Sequence, residues 1–223
     1  MKFDKISAEN LNERMMTMTR QELMQEYWRY YLMLEKKFIH TLSYVELAKS
    51  NYKCYSNEYA LLLQSIGAEL DSFFKVYCGF DLDDRKNMTD YAESVLNSYP
   101  KIKEQVIDVP AYDLSFTPFA NWNIDSPSQS LTWWKAFNNI KHKRSKYKKK
   151  ASQENVLQSL GALYLLEIKY LQNITLNTSE PDIPDEESSI FSLRNWKYHY
   201  TSLGDCVFAL TGDGSPILNG GNA

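Results

Sequence analysis

The residues of this chain best able to do chemistry gather in one short stretch. His142 stands inside the segment Trp133-Trp134-Lys135-Ala136-Phe137-Asn138-Asn139-Ile140-Lys141-His142-Lys143-Arg144. Histidine has an ordinary pKa close to neutral, which suits it to giving or taking a proton in a reaction. Asn138 lies four residues earlier, one helical turn away and on the same face. The surroundings are cationic. From Lys135 to Lys150 the chain holds eight of its 25 Lys and Arg residues and none of its 28 Asp and Glu residues. Lys141, Lys143, Arg144, Lys146, Lys148, Lys149 and Lys150 form the dense part of that run. Two readings stand side by side. The run is a solvated helix end, or it is a surface whose ammonium groups displace counterions from a phosphate backbone. Tyr147 offers a ring on which a base can stack. His142 carries the same duality, as a proton-transfer group or as a plain cation near a helix C-terminus.

The segment, with a long helix on either side of it, resembles the HEPN superfamily of prokaryotic helical proteins. The resemblance covers roughly residues 20–173: a long helical hairpin, a variable region, a helix ending in Asn-x-x-x-His, and a last long helix. It implies a helical bundle, a dimer, a role in toxin–antitoxin or anti-phage systems, and, in active members, metal-independent RNA cleavage. Those members place an Arg four to six residues before the His, often followed at once by a polar residue such as Asn. Carried onto this chain, His142 matches the His and Asn138 the polar residue. The Arg position falls on Phe137, with Ala136 and Lys135 nearby, and no Arg is present. Glu69, in the context Ile66-Gly67-Ala68-Glu69-Leu70, matches an acidic position of the family's bundle and is a candidate partner for His142 if the second and fourth helices face each other.

The missing Arg matters chemically. Metal-free RNA cleavage uses the 2′-hydroxyl as nucleophile, so one group must move its proton and a fixed cation must stabilise charge on the phosphate. A guanidinium fork does the second task best, and a phenyl ring cannot do it. Lys135 is seven residues before His142, two turns away on about the same face, whereas Lys141 and Arg144 point about 100° and 200° away on an ideal helix. The expectation is therefore a HEPN-like, RNA-associated or defence-associated protein without robust catalysis. The alternatives are an endoribonuclease using His142 with Lys141 or Arg144 supplying charge, and an antitoxin-like scaffold that binds a partner protein. A homodimer is expected with either, supported by tyrosines beyond what a narrow core stripe needs.

Composition sets the frame. The chain has 223 residues, is 43% hydrophobic and 14% aromatic, and so holds enough apolar surface for a sizeable core. Only 8 Gly and 7 Pro argue against a turn-rich all-β fold. A net charge of −3 makes no general case for a polyanionic partner; the local concentration of Lys and Arg does. Cys54, Cys78 and Cys206 are widely spaced, with no CxxC pair, and His40 and His199 are isolated, so neither a metal site nor a cofactor is expected. The sequons at Asn87, Asn173 and Asn177 read as chance. Residues 1–20 lack an apolar signal-peptide core and no window is long enough to span a membrane, so a cytoplasmic location without membrane contact is expected. No Gly-rich phosphate loop, GxSxG or HExxH element occurs.

The elements that must position the segment follow from periodicity. Apolar residues at three- and four-residue steps predict helices over 20–49, 58–78, 88–98 and 152–173, with another running from Ser130 or Thr132 through Trp133, Trp134, Phe137 and Ile140. Ser56-Asn57 predicts a cap and Gly79 a stop. Residues 107–130, with three prolines, predict an ordered loop with short strands, pinned by Phe116, Phe119 and Trp122. The fold class is thus mainly all-α: a bundle of about four to six helices with a small C-terminal β-hairpin appendage. The predicted division is a loose arm at 1–19, the bundle at 20–175, an acidic linker at 176–189 and a β segment with its tail at 190–223.

Overall fold

A computed structural model describes residues 18–196 with side chains, and the backbone of the strands at 199–203, 206–210 and 216–217. The predicted arm up to residue 17, most of the C-terminal tail, and the side chains of His199 and Cys206 lie outside the described residues.

The fold is a helical bundle, as the periodicity implied, with two small sheets. Helix α1 runs through Arg20–Glu22, a π-helical stretch Leu23–Trp28, and Arg29–Leu42. Thr19 caps it, exchanging bonds with Glu22 in a capping box. Helix α2 is Asn57–Cys78, capped by the Ser56 side chain on the Tyr59 amide and stopped by Gly79 in the left-handed region, φ 67°. Helix α3 is Met88–Ser98, α4 the short Pro127–Ser130, α5 Thr132–Tyr147 and α6 Gln153–Thr175. Among the described residues no helix is long and apolar enough to cross a membrane.

Side-chain contacts fix the helix directions. Gln153, at the start of α6, donates to Tyr59 Oη near the start of α2, while Phe73 and Tyr170 meet at 5.7 Å further along, so α2 and α6 run parallel. Tyr27 meets Phe73, and Trp28 and Tyr31 meet Tyr164, which sets α1 antiparallel to both. Trp134 meets Phe74, Phe137 lies on Gly67, and Arg144 reaches Asn57, so α5 is antiparallel to α2. Gly67 is required there: a Cβ would stand 2.2 Å from the Phe137 ring. Gly161 does the same on α6, where a Cβ would meet Phe116 at 2.6 Å.

Several boundaries differ from the sequence expectation. Helix α1 ends at Leu42, not near 49. The Thr41 hydroxyl donates to the Phe38 carbonyl, and Leu47 turns back into the core at 3% exposure. The carbonyls of Val45 and Glu46, freed from the helix, accept from the buried Gln153 amide. Helix α5 starts from Leu131 without a side-chain cap. Ser130 is drawn into α4, donating to the Pro127 carbonyl and accepting from the Asn123 amide.

The variable region contains strands β1, Ile107–Val109, and β2, Leu114–Phe116, joined through Asp113 at φ 49°. Phe119 and Trp122 are fully buried, and Trp133 Nε1 donates to the Pro118 carbonyl at 2.9 Å, which pins the loop to α5. Strand β3, Ser192–Leu193, pairs with β1, so the chain just after residue 190 belongs to the bundle's own sheet rather than to a C-terminal hairpin. A separate antiparallel sheet follows, of β4 (His199–Leu203), β5 (Cys206–Leu210) and β6 (Pro216–Ile217).

The segment predicted as a linker is tied down instead. Glu35, 1% exposed, accepts from the hydroxyls of Tyr31 and Ser188 and from the Ser189 amide and hydroxyl. Arg20 holds the Pro181 and Ile183 carbonyls and pairs with Asp185 at 2.6 Å. Four hydrogen bonds make it favourable to keep a carboxylate inside, because its lone pairs are satisfied without water. The tyrosines offered as dimer-interface material are largely used by the core: Tyr31, Tyr59 and Tyr77 are buried, while Tyr30 and Tyr44 are exposed.

Candidate nucleic-acid interface

Helix α5 carries every residue of the sequence motif. Its first half belongs to the core, with Trp133, Trp134, Ala136, Phe137 and Ile140 all buried. Its second half leaves the core. Lys141, His142, Lys143, Arg144, Lys146, Lys148, Lys149 and Lys150 are all exposed, and only Tyr147 packs partly inward. The helix breaks at Lys143, whose backbone takes φ −145° and ψ 51°, and a 3-10 turn at Lys148–Lys150 closes the segment before Ser152 caps α6.

None of the run's cations forms an ion pair among the described residues. Lys141 rests its ammonium 5.5 Å from the centre of the Phe137 ring, and Lys146 rests 5.2 Å from that of Tyr147. Arg144 makes a long 3.5 Å bond to Asn57 Oδ1. Two like charges about 10 Å apart in water repel by about 0.4 kcal/mol before salt screening. Seven gathered together therefore leave a surface that favours any polyanion able to lie along it.

The proposed catalytic pair is separated in role. Asn138 is half-buried and donates back to the Trp134 carbonyl at 3.1 Å. His142 is exposed and makes no hydrogen bond among the described residues. The two cations weighed as its charge partners are drawn in opposite directions along the helix, Lys141 back over Phe137 and Arg144 onward to Asn57. The Arg position of the family motif is occupied by a core residue, since Phe137 is 3% exposed and stacked on the α2 backbone at Gly67.

Glu69 is brought to different partners. With Phe137 opposite Gly67 and Arg144 opposite Asn57, His142 sits at a level roughly nine residues, or about 13 Å, from Glu69 along α2. Glu69 instead shares an interior patch with Glu167 of α6 and Tyr27 of α1. Burial raises the Glu69 carboxyl above its ordinary range. Glu167 is held well above that range, first by complete burial and then by the Glu69 charge, and neither of its oxygens has a hydrogen-bond partner among the described residues. Tyr27 is raised as well, by burial first and then by the two carboxylates. Two acids do not make a metal site, and among the described residues no cluster of three or more His, Cys, Asp or Glu could hold an ion.

A cleft of about 450 Å³ opens beside α5, one turn back from His142. Lys135, Asn138, Asn139 and Lys141 line it from α5, and Lys86 and Asn87 from the turn entering α3. Trp134 and Phe137 also face it, and Asp71 is the one acid in its wall. Sequence reasoning set Lys135 aside for its distance from His142 and missed Lys86 and Asn87, which lie some fifty residues upstream in a turn with no motif of its own. A larger cleft of about 1250 Å³ lies near the end of α6. Its charges are mixed, and two of its three cations are already paired: Arg20 with Asp185 and Arg194 with Asp108.

No protein-family model matches the chain, and comparison with characterised proteins and with solved structures returns no significant similarity.

Proposed function

We propose that this chain is a HEPN-like, RNA-associated protein that engages the phosphate backbone through the exposed run from Lys141 to Lys150 and lacks robust catalysis. One observation carries the reading: seven cations project from the end of α5, with no acid among them and no ion pair to neutralise them among the described residues. A helix end built only for solubility gains nothing from excluding every acid, whereas a phosphate-binding surface does. The burial of Phe137 supports the absence of catalysis, because it removes the place from which the family's Arg would act. An anti-phage or toxin–antitoxin setting, a cytoplasmic location and a homodimer belong to the same proposal. So does the scaffold alternative, in which an acidic partner protein takes the place of RNA.

A second reading, metal-independent endoribonuclease, is favoured by the exposure of His142 at the edge of the run. Incubating a mixed RNA pool with the protein in chelator, beside His142→Ala, separates the two. The proposal expects both proteins to bind the RNA equally and cleave none of it. Cleavage lost in His142→Ala establishes the enzyme and overturns the non-catalytic reading. No RNA binding by either protein overturns both and leaves the scaffold.

A further inference from the structure

The cleft beside α5 continues the basic run, and Lys141 belongs to both. Its walls combine two recognition chemistries. Lys86, Lys135 and Lys141 line it from two separate elements, and none is ion-paired among the described residues; the Lys86 ammonium rests 4.5 Å from the centre of the Phe80 ring and the Lys141 ammonium over Phe137, both weak holds that an anion can replace. Asp71 opposes them, but its carboxylate already accepts the Tyr91 hydroxyl at 3.1 Å. The second chemistry is amide. Gln129, Asn138 and Asn139 present side chains able both to donate and to accept, which is what the edge of a nucleobase needs, while Asn87, whose oxygen caps α3 by accepting the Thr89 amide, keeps its N–H groups to donate. Asn138 spends one N–H on the Trp134 carbonyl, which fixes its orientation and leaves its oxygen available. The volume, about 450 Å³, falls at the lower end of the range of small-molecule sites.

We infer that this cleft seats one nucleotide of an RNA strand lying on the basic run, with its phosphate among Lys86, Lys135 and Lys141 and its base edge against the amides. The inference rests on the RNA-associated reading and names where that reading gains a specific contact. A strand tracking the run from Lys150 towards Lys141 passes His142 and arrives at the cleft. The three lysines meet the non-bridging oxygens as point charges, and the amides select an unpaired base, since a duplex cannot offer one.

The test uses the full chain with two probes, adenosine 5′-monophosphate and a twelve-nucleotide single-stranded RNA. Binding is read by NMR of side-chain amides and by fluorescence anisotropy. Lys86→Gln and Lys135→Gln probe the cleft, and Lys148→Gln/Lys149→Gln probes the run; unchanged thermal melting certifies the fold of each. The mononucleotide is expected to shift the Asn138 and Asn139 side-chain signals. Each cleft variant should weaken it about tenfold and the RNA about three- to tenfold. The run variant should weaken RNA while leaving the mononucleotide unaffected. Wild-type RNA affinity retained in both cleft variants overturns the cleft and leaves the run's role standing. Mononucleotide binding without any RNA binding keeps the cleft as a nucleotide site and overturns the wider reading. Inorganic phosphate competing as well as the mononucleotide overturns the nucleotide assignment in favour of a simple anion site.

Discussion

Phe137→Arg puts the family's missing cation back where the motif wants it, and the structure expects the result to be damage rather than activity. The Phe137 ring is 3% exposed, lies on the Gly67 backbone, and contacts Trp134 at 5.2 Å between ring centres. Truncating a buried Phe costs about 3–5 kcal/mol through lost transfer energy and the cavity left behind. Arginine refills part of that volume but brings a charge into an apolar helix interface, beside the Lys141 ammonium that now rests over the ring. The expected loss is thus about 3–5 kcal/mol, a large share of the roughly 5–15 kcal/mol that holds a domain folded. Phe137→Leu, which keeps apolar volume, should cost about 1 kcal/mol. Urea denaturation of the three proteins measures both figures, and metal-free RNA cleavage is assayed on the same samples. An arginine variant that loses less than about 1 kcal/mol and gains cleavage would refute the placement of residue 137 in the core and restore the catalytic reading.

Other expectations follow from the interior. Gly67→Ala forces a Cβ to within 2.2 Å of the same ring and should cost about 1–3 kcal/mol as overpacking; Phe137→Leu in the same chain should recover part of it, as a double-mutant denaturation cycle would show. Glu167 has a raised pKa in the fold, so the folded state holds its proton more tightly than the unfolded chain does. Stability is therefore fullest below the ordinary carboxylate pKa and falls as pH rises towards the folded value, at up to about 1.4 kcal/mol per pH unit. Glu167→Gln should be the more stable protein at neutral pH, with a flatter melting profile; a profile parallel to wild type contradicts the buried, unpartnered carboxyl. Glu35→Ala removes the acceptor shared by Ser188 and Ser189, and limited proteolysis should then cut within 176–189 well before wild type is cut, with about 2–4 kcal/mol of stability lost.

The helices were legible because their apolar residues recur at helical spacing, and because Ser56 and Gly79 act through local geometry that sequence alone reveals. Long-range bonds were not legible. Nothing near Glu35 announces that it will hold residues 188 and 189, more than 150 positions away, so the acidic segment read simply as a linker. The end of α1 was misplaced because Val45 fits the helical stripe, while the donor that draws its carbonyl out of the helix is Gln153. At the candidate site, the exposure of the run followed from its charge density. The fate of Phe137 did not, because it depends on Gly67 of another helix. Lys86 joins the cleft only through the packing of α3 against α2 and α4 and has no signal in its own neighbourhood.

The most direct test of the central claim is the salt dependence of RNA affinity. If Lys146, Lys148, Lys149 and one further cation of the run touch phosphates of a single strand, the logarithm of the association constant should fall with the logarithm of salt at a slope of about −3, so that affinity drops about 50-fold between 50 and 200 mM. Replacing Lys146, Lys148 and Lys149 with Gln should make that slope shallower by about 2. A slope near zero, or one unchanged in the triple variant, would contradict the claim that this run binds RNA.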